Sequence, residues 1–447
     1  MLIYMRADKK RISPKRRKNG RRPVIVFLVT LALVLGMGLF GMQFYLGLKD
    51  KEDAQEITQS VVDVADDAPA KKEEILVQLP VKEKIPEKKD EKEESVETAA
   101  PVAEGKYADI LADTKRMEEN RIYEASVNEE GVVSLGFAGD ILFDDEYAMM
   151  ANLLRRGVTI ENALSEELLA VMRGMDIMMV NNEFPYTNRG MATEGKTYTF
   201  RADTDSVSYL HDMGADVVSL ANNHAYDYGE IGLLDTFDTL EGAGIPYVGA
   251  GRNLEEAIKP VYFIAGDIKI AIVSATQIER LENPDTKEAT ANSAGVLRCL
   301  DPSRLLEVVA KAKENSDFVI VFIHWGTENV TEPDWAQLDQ APKIAQAGAD
   351  LIVGAHPHCL QGFEYYGDVP VVYSLGNFWF NSKTLDTGIL QVDISPDGLK
   401  GIRFIPAIQE DCRTRLAYGE EKARIISYME SISYGVSIDG EGNVNKK

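Results

Sequence analysis

The chain has 447 residues, 45% of them hydrophobic and 27% charged, with a formal net charge of -24 at pH 7. That length holds two or three average domains, or one large domain with appendages. The acidic balance excludes a nucleic-acid partner for the main body, because phosphate binding needs a basic face. Three cysteines, Cys299, Cys359 and Cys412, are too few and too spread for a disulfide framework.

The charge is uneven along the chain. Residues 1–22 carry ten Lys and Arg against the single Asp8, and the cluster Lys15-Arg16-Arg17-Lys18 precedes an uncharged apolar run, Pro23–Leu48. As a helix that run is about 39 Å long at roughly 1.5 Å per residue, enough to cross a hydrocarbon core of about 30 Å. A secretory signal has a shorter apolar region, about 7–15 residues, and a small-residue cleavage site. Here the run exits into Lys49-Asp50-Lys51-Glu52 with no Ala-x-Ala junction. The expectation is an uncleaved, single-pass signal anchor: residues 1–22 form a basic cytoplasmic tail, 23–48 span the cell membrane, and the main domain is extracellular.

Residues 49–105 hold dense mixed charge, as in Lys82–Glu94, and read as a disordered stalk. Residues 106–131 place Tyr107, Ile110, Leu111 and Met117 at broadly helical spacing and read as a bracing helix. From 132 to 412 apolar runs alternate with segments of helical period such as Glu166–Arg173 and Ser303–Lys313. Strand-like segments follow at Val371–Leu375, Gly388–Ile394 and Gly401–Ile405, with a hairpin break at Pro396-Asp397-Gly398. The pattern predicts an α/β (α+β) domain whose later strands are partly antiparallel. Residues 413–447 read as a C-terminal helix and tail.

Four of the five histidines, and two carboxylates, stand at or just past the ends of short apolar runs. Val133–Ala138 leads to Asp140, Ile177–Val180 to Asn182-Glu183, Asp216–Ala221 to Asn222-Asn223-His224, Phe318–Ile323 to His324-Trp325, and Asp350–Ala355 to His356-Pro357-His358. Short Val- and Ile-rich runs read as buried strands, and ligands in mixed sheet proteins gather beyond the carboxyl ends of strands. Five such ends therefore predict one polar cleft. His356 and His358 sit on one face of an extended segment, with Pro357 keeping His356 out of the helical region. Two carboxylates, Asn223 and four imidazoles suit one or two divalent cations, Mn, Zn or Fe, which activate water or clamp an oxyanion. Cys359 reads as a small buried residue.

Two nucleotide-loop spellings fail on context. Gly36–Gly41 matches a dinucleotide fingerprint inside the apolar anchor, and Gly190-Met-Ala-Thr-Glu-Gly-Lys196-Thr197 matches a P-loop without the strand before it or the helix after it. The second reads as a surface turn with a solvated Lys196. No Gly-x-Ser-x-Gly elbow or activated cysteine supports nucleophilic catalysis.

In this order, the blocks Gly139-Asp140-Ile141, Asn182-Glu183, Ala221–Gly229, His324–Glu328, Gly354–Gln361 and Tyr373–Phe378 resemble the CapA/PgsA-type capsule-synthesis family, associated with poly-γ-glutamate. The resemblance covers about residues 132–410. It implies a four-layer α/β/β/α sandwich resembling calcineurin-like metallophosphoesterases. Where the wider superfamily reads Asp-x-His this chain has Asp140-Ile141-Leu142, and Glu183 stands for a bridging Asp. One of two metal subsites is therefore expected to be weakened.

The resulting expectation is a membrane-anchored extracellular protein of capsule or poly-γ-glutamate synthesis or export. The alternatives are a surface metallohydrolase cutting phosphoester or γ-glutamyl bonds, and a non-catalytic scaffold of a synthase complex. Asp140, Glu183, Asn223, His224, His324, His356 and His358 are the expected metal ligands. Asp227, Glu328 and His224 are expected to act in acid–base chemistry or behind the ligands, and Asn222, Trp325 and Asn377 to touch substrate. Expected partners are the membrane, polymer-synthase membrane proteins, and the anionic polymer or its precursor.

Overall fold

Alternation along single strands builds the layers. The computed structural model describes residues 105–279 and 286–447. The expected tail and anchor, and nearly all of the stalk, lie outside the described residues; among those described, no helix is long and apolar enough to cross a membrane. In the strand Phe318–His324, the residues Phe318, Ile320 and Phe322 enter one apolar core while Val319, Val321 and Ile323 enter another. Successive side chains of a strand point to opposite faces, so this strand is buried on both.

A seven-stranded sheet runs, in spatial order, through Ile122–Glu124, Val261–Ala265, Ile268–Thr276, Phe318–His324, Leu351–Ala355, Val369–Leu375 and Leu360–Tyr366. Its three central strands, Ile268–Thr276, Phe318–His324 and Leu351–Ala355, are parallel. An eight-stranded sheet runs through Arg413–Leu416, Gly398–Glu410, Leu385–Ser395, Val133–Ile141, Ile177–Asn182, Val217–Ser219 and Tyr247–Val248, with Asn377–Trp379 pairing beside Val133–Ile141. Its last four strands in that order are parallel and its first three antiparallel, with a tight turn over Pro396 and Asp397 joining Leu385–Ser395 to Gly398–Glu410.

One core lies between the sheets, where Leu135, Phe137, Ile177 and Met179 meet Ile270, Ile320, Phe322 and Val353. A second packs the outer face of the eight-stranded sheet under the helices Ala148–Arg156, Glu166–Arg173, Ser208–Met213 and Gly229–Ala243. The third packs the other outer face under Ser303–Glu314 and Trp335–Ala347. Each fully buried Ile, Leu or Phe contributes about 1.5–3 kcal/mol of transfer free energy, so the mixed sheets are held from both sides.

The expected bracing helix is instead two short helices, Ala108–Leu111 and Thr114–Asn120, followed by the edge strand Ile122–Glu124. The left-handed turn at Arg121 (φ 54°) ends the helix and sends the chain into the sheet. The C-terminal segment is the helix Gly419–Ser431 plus a hairpin of Val436–Ile438 with Val444–Lys446.

One crossing between the sheets lies at Gly376. The strand Val369–Leu375 belongs to the seven-stranded sheet, and after Gly376 the chain joins the other as Asn377–Trp379. Gly376 adopts φ +67°, a conformation glycine takes at little cost, and its carbonyl accepts from Asp140 N at 3.0 Å. A Cβ on Gly139 would stand 1.8 Å from that carbonyl, so only glycine admits the crossing.

Candidate metal centre

Strand parity places the functional side chains. Odd residues Ile177 and Met179 face the inter-sheet core, so Asn181 and Glu183 continue the same face. Even residues Phe318, Ile320 and Phe322 do so in the opposite sheet, and His324 follows them. Asp140 breaks the parity of Leu135 and Phe137, and a register irregularity between Phe137 and Asp140 re-aims it. The end of the inter-sheet core is thus capped by polar groups.

Those groups converge. Glu183 Oε1 lies 3.6 Å from His324 Nε2, 3.9 Å from His358 Nε2 and 4.0 Å from His224 Nε2. His358 Nδ1 lies 3.2 Å from Asp140 Oδ2 and 2.8 Å from Asn377 Oδ1. His356 Nδ1 is 3.0 Å from His324 Nε2, which also meets Asn223 Oδ1 at 2.8 Å. Asp140, Glu183 and His324 are fully buried and His356 is 4% exposed. The polar groups form a nearly closed centre, with the His358 side chain, 16% exposed, its most accessible imidazole.

The backbone at His356-Pro357-His358 is not extended. His356 has φ 98° and His358 φ 56°, left-handed values that non-glycine residues seldom adopt. Both rings still reach the centre, through a bent loop rather than through strand alternation. Such conformations cost on the order of 1–3 kcal/mol each and concentrate at functional sites.

Burial governs the charges. It drives His324 and His356 well below the ordinary imidazole range, assisted by the neighbouring imidazoles, so both rings are neutral near pH 7. Burial also lowers His224, with Asp227 opposing. Burial pulls His358 down too, but the Asp140 carboxylate 3.2 Å from its Nδ1 lifts it above the usual value. Glu183 is pushed well above the carboxylate range by burial first and by Asp140 second.

Asn181 braces the centre from behind, and it was not among the residues expected from sequence. Its Nδ2 donates to Asp140 Oδ1 at 2.7 Å and lies 3.3 Å from both Glu183 Oε2 and His324 Nδ1. The signal that finds it is strand parity, which selects Asn181 over its neighbour Asn182. Asn182 instead donates to Phe184 O at 2.6 Å. Phe200 lies tilted against the His224 ring with centroids 4.2 Å apart, and Phe380 lies 4.8 Å from His358, forming an aromatic wall.

Several expected roles are corrected. Trp325 follows the opposite parity to His324, is fully buried in the outer core and donates its indole N–H to Tyr373 O at 2.9 Å, out of reach of any substrate. Asn222 uses its amide inside the protein, donating to Asn182 O at 2.9 Å and accepting from His224 N at 3.1 Å. Asn377 is 1% exposed and holds His358. Asp227 keeps a place behind His224, fully buried, with its carboxylate meeting Lys196, Phe200 N and His224 Nδ1. Glu328 is exposed, near enough for its charge to act on Glu183 and His358. Leu142, at the position of the absent imidazole, is fully buried in the helix-side core. Lys196 is not solvated: its side chain is 4% exposed and paired with Asp227 at 2.5 Å. Cys359 is partly exposed, its thiol pushed up to about 11 by burial, and donates to Val330 O at 3.5 Å.

The residues fit a divalent cation. Asp140 Oδ2 and Glu183 Oε1 are buried with no hydrogen-bond partner, an expensive state unless a cation or protons satisfy them. Two ligand groups share Glu183: Glu183, His356 and His358, and Asp140, Glu183 and His324, the donor atoms of each lying within 4.8 Å of one another.

Known proteins resemble this chain over much of its length. The chain is 32% identical over 282 residues to the PGA biosynthesis protein CapA of Bacillus subtilis, covering 62% of this chain and 72% of that one. It is 33% identical over 238 residues to the capsule biosynthesis protein CapA of Bacillus anthracis, covering 52% of this chain and 57% of the relative. Among solved structures, a 5'-nucleotidase from Candida albicans overlays with a TM-score of 0.33 at 11% identity, covering 63% of this chain and 53% of that one, a likeness too slight to build on. Residues 134–382 match the family described as bacterial capsule synthesis protein PGA_cap, and the chain belongs to that family.

Proposed function

We propose that this chain takes part in making or exporting a poly-γ-glutamate-like capsule polymer from the outer face of the membrane, anchored by residues 23–48, and that it does so through a divalent-metal centre. The observation that carries the metal is the pair of buried, unpartnered oxygens, Asp140 Oδ2 and Glu183 Oε1, surrounded by imidazoles. Asp140, Glu183, His324, His356 and His358 would hold the cation, with Glu183 common to both ligand groups. Imidazole with carboxylate suits Mn, Fe or Zn. Family relatives with the names of capsule and poly-γ-glutamate biosynthesis proteins support the polymer as the substrate class.

Bound there, a divalent cation supplies an activated water and a clamp for a developing oxyanion. The chain's own groups set the rest. Asp227 Oδ2 accepts from His224 Nδ1 at 2.7 Å, which leaves Nε2 facing Glu183 and free to take or return a proton. Asn181 keeps both carboxylates and His324 in register. Phe200 and Phe380 exclude water from the imidazoles they cover.

The test is the metal content of the purified full-length chain, followed by a panel of γ-glutamyl and phosphoester substrates. One tightly held divalent cation per chain is expected, with hydrolysis or transfer confined to γ-glutamyl compounds. Replacing His356 and His358 together by Ala should weaken the tight site by on the order of 100-fold or more and abolish capsule formation. The thermal stability of the chelator-treated protein should change little. A chain that binds no divalent cation yet supports capsule formation would leave a scaffold as the function.

A further inference from the structure

The loop Gly190–Thr197 spells a phosphate-binding pattern and binds its lysine inward. Lys196 Nζ donates to Asp227 Oδ1 at 2.5 Å and also to the carbonyl of Asn223. Its side chain is 4% exposed and that of Asp227 fully buried. Neither partner belongs to the ligand groups, and both adjoin the centre. Asp227 Oδ2 accepts from His224 Nδ1 and from Phe200 N, each at 2.7 Å. Asn223 presents its side-chain Oδ1 to His324 Nε2 at 2.8 Å. Thr193 ties the loop to the same segment, its N and Oγ1 both donating to Asp227 O, at 2.8 and 3.0 Å.

We propose that Lys196 is a positioning residue for the centre: one ammonium fixes His224 through Asp227 and Asn223 through its main chain. The inference rests on the metal reading above for its affinity readout alone. Asp227 Oδ1 accepts from Lys196 and Oδ2 from Phe200 N, so the carboxylate meets His224 as an acceptor and places the imidazole proton on Nδ1. Without Lys196, Asp227 keeps a buried charge against one imidazole and one amide. Removing one partner of a buried pair leaves the other uncompensated, so the carboxylate must rotate, take up a proton or draw water in. Each of these releases the His224 ring from its tautomer and orientation. Through Asn223, whose side chain meets the ligand His324, loss of Lys196 should also weaken metal binding, by about the 10–100-fold typical of groups that orient ligands without touching the metal.

The experiment compares the full-length chain with Lys196→Met, Lys196→Arg and Leu306→Ala, the last a packing control on a partly buried outer helix. The first readout is Mn affinity by competition with a chelator. Lys196→Met should lose about 10–100-fold, Lys196→Arg should recover part of it, and Leu306→Ala should match the wild type even where its melting temperature falls. The second readout needs no metal: the imidazole N–H proton of His224 in the chelator-treated, 15N-histidine-labelled chain, assigned with His224→Asn. It should be slow to exchange in the wild type and in Lys196→Arg, and lost in Lys196→Met.

Wild-type Mn affinity in Lys196→Met together with an intact His224 N–H signal would overturn the proposal. If the wild type binds no Mn, the metal reading fails, and the imidazole signal alone decides the role of Lys196. Loss of that signal in Leu306→Ala as well would reduce Lys196 to general stability and also overturn the proposal.

Discussion

Glu183 and its imidazoles titrate against one another, and the signs can be worked out for the metal-free protein. His224, His324 and His356 are lowered from the ordinary value of 6.5. Below pH 6.5 the unfolded chain therefore binds more protons at these rings, and their stabilising contribution is lost as pH falls towards their folded values. Glu183 is raised above 4.5 and His358 above 6.5. Their contributions are present at low pH and lost as pH rises through the raised values. Between 4.5 and 6.5 the three lowered imidazoles outweigh the single carboxylate, and above 6.5 only the two raised groups act. The stability that this cluster contributes should peak near pH 6.5 in chelator-treated protein. Melting temperatures from pH 5 to 8.5 check this, and Glu183→Gln should flatten the high-pH limb and steepen the low-pH limb, where the carboxylate opposes the imidazoles. An unchanged high-pH limb in that variant would show that Glu183 is not the group concerned.

At the scale of elements, the crossing at Gly139 and Gly376 joins the sheets beside Asp140. A Cβ on Gly139 needs the Gly376 carbonyl to retreat, because the two would stand 1.8 Å apart. Gly139→Ala should destabilise the domain by about 1–3 kcal/mol through overpacking and weaken metal binding by displacing Asp140, whose N–H that carbonyl accepts. Denaturant melts and chelator competition would measure both, and a variant that loses stability with its affinity intact would separate the crossing from the centre. The strand ends themselves were legible in sequence, since a run such as Phe318–Ile323 has no polar residue before His324 and both of its faces are buried. The helices Glu166–Arg173 and Ser303–Glu314 were legible for the same reason, an apolar stripe of helical period. What was not legible is long-range or irregular. The bulge that turns Asp140 inward has no signature in Gly139-Asp140, and the left-handed backbone of His356 and His358 contradicts the extended form that Pro357 suggested. Lys196 finds its carboxylate 31 residues away, so a solvated turn was the natural local reading. Asn181 and Trp325 were readable in principle by counting parity from Ile177 and Phe322.

At the scale of the whole molecule, the domain that carries the centre also carries the family match, and the basic and apolar segments precede both. The order matters for function. A polymer handled outside the cell needs its centre on the far side of the membrane from the ten basic residues of the first 22, and the positive-inside rule puts those residues in the cytoplasm. The proposed topology therefore places the carboxyl end outside. Protease added to intact cells should remove a C-terminal epitope and leave a small membrane-bound fragment containing residues 1–48, whereas the epitope should resist in inverted vesicles. Protection of the epitope in intact cells would reverse the orientation, and a mature protein starting beyond residue 48 would replace the anchor with a cleaved signal. The two outcomes differ in what they leave of the capsule reading. A cleaved signal still delivers the centre to the polymer, while a cytoplasmic centre could meet only the precursor.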